Sequence, residues 1–202
     1  MPSLQFSQLA PLNNDPPETI QAKILYVLCQ MAGIQTTAAA SSQTSAFGGN
    51  VGGFTYVPQV IPAITAGSAY AAGNNIGGLL TYANALRTPR QSGILENVTI
   101  MDRGNQKSAM DLLIFKAPPG GAFTDKSAYT PVTGDDALLI GRVTIAAADW
   151  VTYGSKALVT EAALGIAISS TGPNLYCALI SQGTPTYATT TDLVINLGIL
   201  QD

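Results

Sequence analysis

The sequence predicts a mainly β protein: a jelly-roll-like β-sandwich with an N-terminal extended arm and one α-helix. Residues 193–200 place a branched apolar side chain at every second position, which gives a strand one apolar face. Seven or eight short apolar runs follow residue 57, separated by turns rich in Gly, Pro and Asn. Only 10% of the residues are charged, against about 25% in ordinary soluble domains.

Changes in composition divide the chain into three predicted segments. Residues 1–33 form an arm and a helix, residues 34–56 form a neutral low-complexity tether, and residues 57–202 form the β-sandwich domain. Within the arm, Leu4, Phe6 and Leu9 have no regular partner pattern. Large apolar residues in such an arm are expected to pack on the chain's own body or on a neighbour.

The predicted helix begins at Asp15 and ends at Gly33. Asp15 is a suitable N-cap, prolines fill the first two helical positions, and Glu18 completes a capping box. Apolar residues then recur at helical spacing: Ile20, Ile24, Val27, Leu28 and Met31. The polar side is thin and includes Lys23. So apolar a helix is expected to need another surface to pack against.

The tether has two interpretations. Its Gly, Ala, Ser and Thr content is typical of a flexible linker. However, no charged residue occurs from residue 24 to residue 86, whereas solvated linkers usually carry charge. Phe47 and Phe54 punctuate this neutral stretch, so a segment ordered by a partner is the other interpretation.

The domain is predicted strand by strand. Residues 57–64 read as an edge strand because their prolines cannot donate hydrogen bonds on both sides. Residues 74–78 read as a turn. Further strands are predicted at residues 79–85, 94–102, 110–115, 137–145, 157–168, 175–180 and 193–200. Residues 146–150 are expected to contain one helical turn, and the last strand is expected to be central in its sheet.

The residue types exclude several kinds of chemistry. The chain has no histidine, so Ser-His-Asp and Cys-His sites and imidazole metal ligands are excluded. Cys29 and Cys177 are flanked by large apolar residues and are expected to be buried free thiols rather than a disulfide. No phosphate-binding loop is present. We therefore expect no catalytic residue, no cofactor and no metal.

Charge and hydropathy also limit the partners. The net charge is −3, which argues against a dedicated nucleic-acid-binding protein. No run of 18 apolar residues occurs, so no membrane partner is expected. Arg87, Arg90, Arg103 and Lys107 are either a patch for an acidic partner or scattered loop charges, the second being the simpler interpretation.

Carboxylates and aromatic residues leave two further hypotheses. Asp135–Asp136, Asp102 and Asp111 would suit a glycosidase if two of them faced each other, but acids in polar loops more often form turns. Six aromatic residues lie in or beside loops and suit stacking on sugars: Tyr70, Tyr82, Tyr129, Trp150, Tyr153 and Tyr187. Trp150 fits a core or interface anchor better.

Several stretches resemble a recurrent structural protein of tailed bacteriophages. They are residues 70–85, 93–102, 112–115, 175–187 and 192–202, and the resemblance covers roughly residues 57–202. It implies a virion component of the capsid decoration or cement type, located on the capsid exterior. No basic-then-apolar leader opens the sequence, so we expect the protein to be made in the host cytoplasm. No catalytic signature accompanies these motifs.

The leading hypothesis is therefore a non-enzymatic capsid decoration protein. Its expected partners are the major capsid protein and other copies of itself, with a trimer as one arrangement. The expected partner-binding residues are the apolar ones that have no core of their own: Leu4, Phe6, Leu9, Ile20, Ile24, Leu28, Phe47 and Phe54. The alternative is a tail-associated or host-surface carbohydrate-binding module that uses the loop aromatics.

Overall fold

Ten strands and one short helix run through residues 54–87 and 91–201, which are the residues that this computed structural model describes. Their bounds are β1 (Phe54–Tyr56), β2 (Gln59–Val60), β3 (Asn75–Tyr82), β4 (Ser92–Asp102), β5 (Met110–Phe115), α1 (Asp135–Leu138), β6 (Leu139–Ile145), β7 (Val151–Tyr153), β8 (Lys156–Ser169), β9 (Leu175–Ser181) and β10 (Leu193–Gln201).

The strands form two antiparallel sheets. The six-stranded sheet has the order β1-β10-β4-β8-β7, and β2 also pairs with β10. The four-stranded sheet has the order β3-β9-β5-β6. β10 thus has neighbours on both sides, as the sequence predicted. The prediction of a mainly β fold is confirmed.

One hydrophobic core joins the two sheets. β10 contributes Leu193, Ile195, Leu197 and Ile199, each 0% exposed, because alternate side chains of a strand point to the same face. β9 of the other sheet contributes Leu175, Cys177 and Leu179 to the same cluster. Two sheets that share a core in this way are consistent with the predicted β-sandwich.

The strand pairs nest inside one another along the chain. β2 pairs with β10, β3 with β9, β4 with β8, and β5 with β6, all antiparallel. Two further pairings, β10 with β4 and β9 with β5, place successive nested pairs side by side. The chain therefore runs as one long folded hairpin whose two arms are wound together.

β3 begins earlier than predicted. Residues 74–78 read as a turn, yet Asn75 is 0% exposed and its side-chain amide donates to the Ser127 carbonyl oxygen at 3.0 Å. The Gly-rich part is a bulge inside the strand, where the register shifts between Ile76 and Leu79. Gly77 has a φ of +76°, and a Cβ there would lie 2.3 Å from the Pro62 Cβ, so only glycine fits.

β8 carries a wider irregularity. Leu95 of β4 pairs with Ile166, and Asn97 pairs with Ala162, so three residues of β8 lie opposite Glu96. Two of these three have a left-handed backbone: Ala163 with φ 56° and Gly165 with φ 59°. Alanine rarely adopts this conformation, which costs about 1–2 kcal/mol.

Some short elements differ from the prediction. Within residues 57–64 only Gln59–Val60 form a strand, at the sheet edge. The proposed helical turn at residues 146–150 is instead a turn in which the Asp149 carboxylate accepts the Ala146 N–H at 2.7 Å. β7 and α1 were not predicted. β1 lies within residues 34–56, which were assigned to the tether.

The predicted arm and helix at residues 1–33 lie outside the described residues. Residues 34–53 of the tether lie outside them as well. Cys29 lies there too. Cys177, by contrast, is described, and it is a buried free thiol in β9, as expected.

Candidate functional site

The predicted partner-binding residues fall almost entirely outside the described part of the chain. This applies to Leu4, Phe6, Leu9, Ile20, Ile24, Leu28 and Phe47. The backbone of Phe54 lies in β1, opposite Gln201 of β10. The chain therefore enters the described region at the edge of the six-stranded sheet.

The outer side of that sheet forms a surface that we call the open face, made by side chains of β7, β8, β4 and β10 that alternate with core residues. One row across it is apolar, since Val151 pairs with Leu158 and Leu158 pairs with Met101. The next row is polar but uncharged. There the hydroxyls of Thr99 and Thr160 lie 3.1 Å apart.

A second apolar row lies beyond the β8 bulge. Ile94 pairs with Ala167 of β8 and with Leu200 of β10. Ile94 is 37% exposed and Val151 is 53% exposed, so both ends of the open face are accessible to a partner. Glu96, exposed opposite the bulge, places a negative charge between the two apolar rows.

The outer side of the four-stranded sheet is arranged differently. Phe115, Ala178 and Ile180 form a second small cluster there, covered by Phe123 and Tyr129 from the segment between β5 and α1. The Phe123 and Tyr129 rings stack with their centroids 5.1 Å apart. This sheet therefore has its outer apolar surface covered by the chain itself, whereas the open face exposes apolar residues.

Asp135 holds a loop. Its carboxylate accepts the N–H groups of Gly120 at 2.8 Å, Gly121 at 3.1 Å and Val132 at 3.0 Å. These bonds, led by that from Val132, hold the pKa of Asp135 below its usual value despite the opposing effect of burial. The carboxylate is thus fully engaged as an acceptor.

Asp102 and Asp192 organise two neighbouring loops. Asp102 accepts the N–H groups of Gln106 at 2.6 Å and Lys107 at 2.9 Å, while Asp192 accepts those of Ala188 at 2.8 Å and Thr189 at 2.9 Å. Burial raises the pKa of Asp102, with a smaller contribution from the nearby Asp192 charge. One oxygen of Asp102, Oδ1, is buried without a hydrogen-bond partner.

Asp111 lies on the four-stranded sheet and is engaged by side chains. It accepts the Thr144 hydroxyl at 2.8 Å and the Gln182 amide at 2.8 Å. Arg142 approaches it at 3.9 Å from an exposed position. In the described residues, no group of three or more Asp, Glu, His or Cys side chains is arranged to hold a metal ion.

Most of the aromatic residues that could stack on sugars are buried. Tyr70 is 2% exposed, Tyr82 1% and Tyr187 0%. Trp150 is 6% exposed and its indole N–H donates to the Ser108 carbonyl oxygen at 3.0 Å, so it is a core anchor. Tyr153, at 63% exposed, is the accessible one of this set on the open-face side.

The four cations considered as either a patch or scattered loop charges are described only in part. Arg90 lies outside the described residues, while Arg103 is exposed and donates to the Thr191 carbonyl oxygen at 3.2 Å. Lys107 belongs to the same loop, where its N–H binds Asp102. The Arg103 side chain and the Lys107 backbone thus both contact the loops that contain Asp102 and Asp192.

The chain matches no protein-family model and has no significant match among curated proteins. In the described residues, no helix is both long and apolar enough to span a bilayer.

The open face was not predicted from the sequence. Thr99 and Met101 alternate with the core residues Val98 and Ile100, so they lie on the outward side of β4. Which residues of β8 and β10 lie beside them depends on the strand register, which no local pattern specifies.

Proposed function

We propose that this chain is a non-enzymatic structural protein of a tailed-bacteriophage virion. In this proposal it is a capsid decoration or cement protein with a jelly-roll body. Its N-terminal region binds the major capsid protein and neighbouring copies on the capsid exterior. The sequence resemblance suggested this role, and the described residues add three supporting observations.

The order of the strands carries the proposal. The nested pairs β2–β10, β3–β9, β4–β8 and β5–β6 form a long hairpin, and its winding sets β10 beside β4 and β9 beside β5. We interpret this nesting as jelly-roll connectivity, which belongs to a double-sheet fold that recurs in viral capsid domains and also in lectins and cupins. The step from fold to role is an analogy.

The polar groups support a structural role in a second way. Asp135 and Asp192 accept backbone N–H groups, and Asp111 accepts two side-chain donors. Carboxylates held in this manner fix the conformation of loops. This structural role explains their positions, and no catalytic role is needed to explain them. The exposed apolar residues of the open face, by contrast, suit contact with another protein surface.

A binding assay with capsid shells tests the proposal. Shells assembled in an infection that lacks this gene are mixed with purified full-length chain, pelleted and imaged. We expect the chain to pellet with the shells and to give repeated density on their outer surface. Failure of the wild-type chain to pellet, or density confined to the tail, would contradict the proposal.

Point variants locate the attachment within the chain. The double variant Ile24→Asp, Leu28→Asp should bind the shells at least about tenfold more weakly, because charge on the predicted apolar stripe opposes burial. Thr133→Asp is the matched control, since Thr133 is exposed in the loop before α1. If the wild-type chain, the double variant and Thr133→Asp bound the shells equally well, the proposed attachment through the N-terminal region would be wrong.

A carbohydrate-binding module remains the second candidate because jelly rolls also occur in lectins and Tyr153 is 63% exposed. Burial of Tyr70, Tyr82 and Tyr187 leaves it fewer stacking groups than the sequence suggested. Binding of the wild-type chain on a glycan array, lost in Tyr153→Ala, would favour this candidate over the first.

A further inference from the structure

We propose that the open face of one copy is the docking surface for the predicted helix, residues 15–33, of a second copy. This inference rests on the proposed function, which assigns the N-terminal region to contacts with neighbouring copies. It adds the surface that receives this region. Four observations support it: the size of the face, its composition, its charge and the reach of the chain.

The open face has the dimensions of one helix. Ile94 and Met101 mark its ends on β4, about 23 Å apart at the rise of an extended strand. The four strands from β7 to β10 span about 14 Å across. A helix of 17 residues is about 26 Å long and about 10 Å wide.

The composition of the face suits an apolar helix. Apolar residues lie at both ends, Leu158 and Met101 at one and Ile94 and Leu200 at the other, while Glu96 and the exposed Lys156 are its charged side chains. The predicted helix carries a stripe that includes Ile20, Ile24 and Leu28. Apolar surfaces of this kind are stabilised by mutual burial.

Charge supports the same pairing. Glu96 is the acidic side chain between the apolar rows, opposite the β8 bulge. Lys23 is the basic residue of the predicted helix, and it lies one helical turn from both Ile20 and Val27. A helix docked through its apolar stripe therefore carries a cation at the margin of the contact, where it can meet the Glu96 carboxylate.

The chain is long enough to reach a neighbour. Residues 34–53 lie between the predicted helix and Phe54, which begins β1 at the edge of the same sheet. A flexible linker of twenty residues, which is one of the two interpretations of the tether, would have a root-mean-square span of about 25 Å, and twenty residues extend to at most about 66 Å. Under this proposal, the tether lets the helix of one copy reach the open face of an adjacent copy. Repetition of this contact around a shell would strengthen the attachment.

A charge exchange tests the inference. The purified full-length wild-type chain, Glu96→Lys, Lys23→Glu and the double variant are compared by sedimentation velocity over a concentration series. We expect the wild-type chain to associate, each single variant to associate about tenfold more weakly, and the double variant to recover, because the exchange restores opposite charges. Asp136→Lys, an exposed acid changed on the other sheet's side, should behave as wild type.

Several outcomes would overturn it. These are a wild-type chain that stays monomeric at every concentration, single variants that associate like wild type, or a double variant that does not recover. Circular dichroism of each variant establishes that the fold is kept. Glu96→Lys could lower the melting temperature while leaving the association measured by sedimentation unchanged. In that case the helix docks within its own chain, and the proposed exchange between copies is wrong. Shell binding is measured separately, so a monomeric chain that still pellets with shells would leave the proposed function standing.

Discussion

In the described part of the chain, backbone N–H groups donate to three buried carboxylates, those of Asp102, Asp135 and Asp192. Asp135 joins the glycines at positions 120 and 121 to Val132, and so fixes the loop that covers the four-stranded sheet. Asp125 has a related role, because the Tyr70 hydroxyl donates to it at 2.9 Å and the Gly77 N–H donates to it at 2.6 Å. Asp135 thus bonds to a residue 15 positions away and Asp125 to one 55 positions away, so the loss of either carboxylate frees a loop.

The first prediction concerns the acid sensitivity that Asp135 confers. Because hydrogen bonds lower its pKa in the folded state, the ionised group stabilises the fold above the pKa of the unfolded chain. That stabilisation is lost as the pH falls through the lower pKa of the folded state. Asp135→Asn should therefore melt at a lower temperature than wild type at pH 7, and the difference should shrink on acidification.

Thermal melts from pH 7 down to pH 2 measure this difference. Asp136→Asn is the control, since Asp136 is the exposed neighbour in the same short helix. A difference between Asp135→Asn and wild type that is constant across the pH range would show that the hydrogen bonds do not depend on ionisation.

At the scale of elements, strands that lie between two others were predicted best. β5, β9 and β10 match the predicted ranges to within about one residue, because a strand covered on one side and paired on both carries a clear apolar pattern. β7 was missed because all three of its residues are exposed, so it has no buried face to reveal it. α1 was missed because four residues contain no helical period.

The missed features of β3 and β8 have another cause. Gly77 and Gly78 are typical of a turn, yet they lie in a bulge whose shape is set by Pro62 packed against it. The β8 bulge is hidden because Ala163 is an ordinary strand residue in sequence but has a φ of 56°. Tertiary contacts, which local patterns do not contain, determine both conformations.

The second prediction concerns this bulge. Ala163→Gly should stabilise the protein by about 0.5–1 kcal/mol, because glycine removes the cost of the left-handed backbone at that position. Ala162→Gly, at an exposed neighbouring residue without a positive φ, should destabilise by about 0.5–1 kcal/mol. Urea unfolding measures both, and two changes of the same sign would contradict the assignment of strain to Ala163.

At the scale of the whole molecule, a single core couples the two sheets. Leu197 of β10 is 0% exposed and belongs to the same core cluster as Leu175, Cys177 and Leu179 of β9 in the other sheet. The two sheets should therefore unfold together rather than in sequence. Trp150 is the chain's single tryptophan and is buried against Ser108, so its fluorescence reports on the same transition.

The third prediction tests this coupling. Leu197→Ala should cost about 2–4 kcal/mol through the cavity it creates, and the tryptophan and circular dichroism transitions should still coincide. Leu200→Ala changes the same residue type on the outward side of β10, where Leu200 is partly exposed, and should cost about 1 kcal/mol or less. Separate transitions for the two probes would indicate sheets that unfold independently.

The pairing of Phe54 with Gln201 has a practical consequence for labelling. The polypeptide enters the six-stranded sheet beside the point where it leaves, so a purification tag or fluorophore added after residue 202 would emerge next to the segment that precedes residue 54. Such a fusion would crowd any attachment made by that segment. The hairpin between β7 and β8, where Gly154 has open space around it, offers a reporter position on a different strand connection.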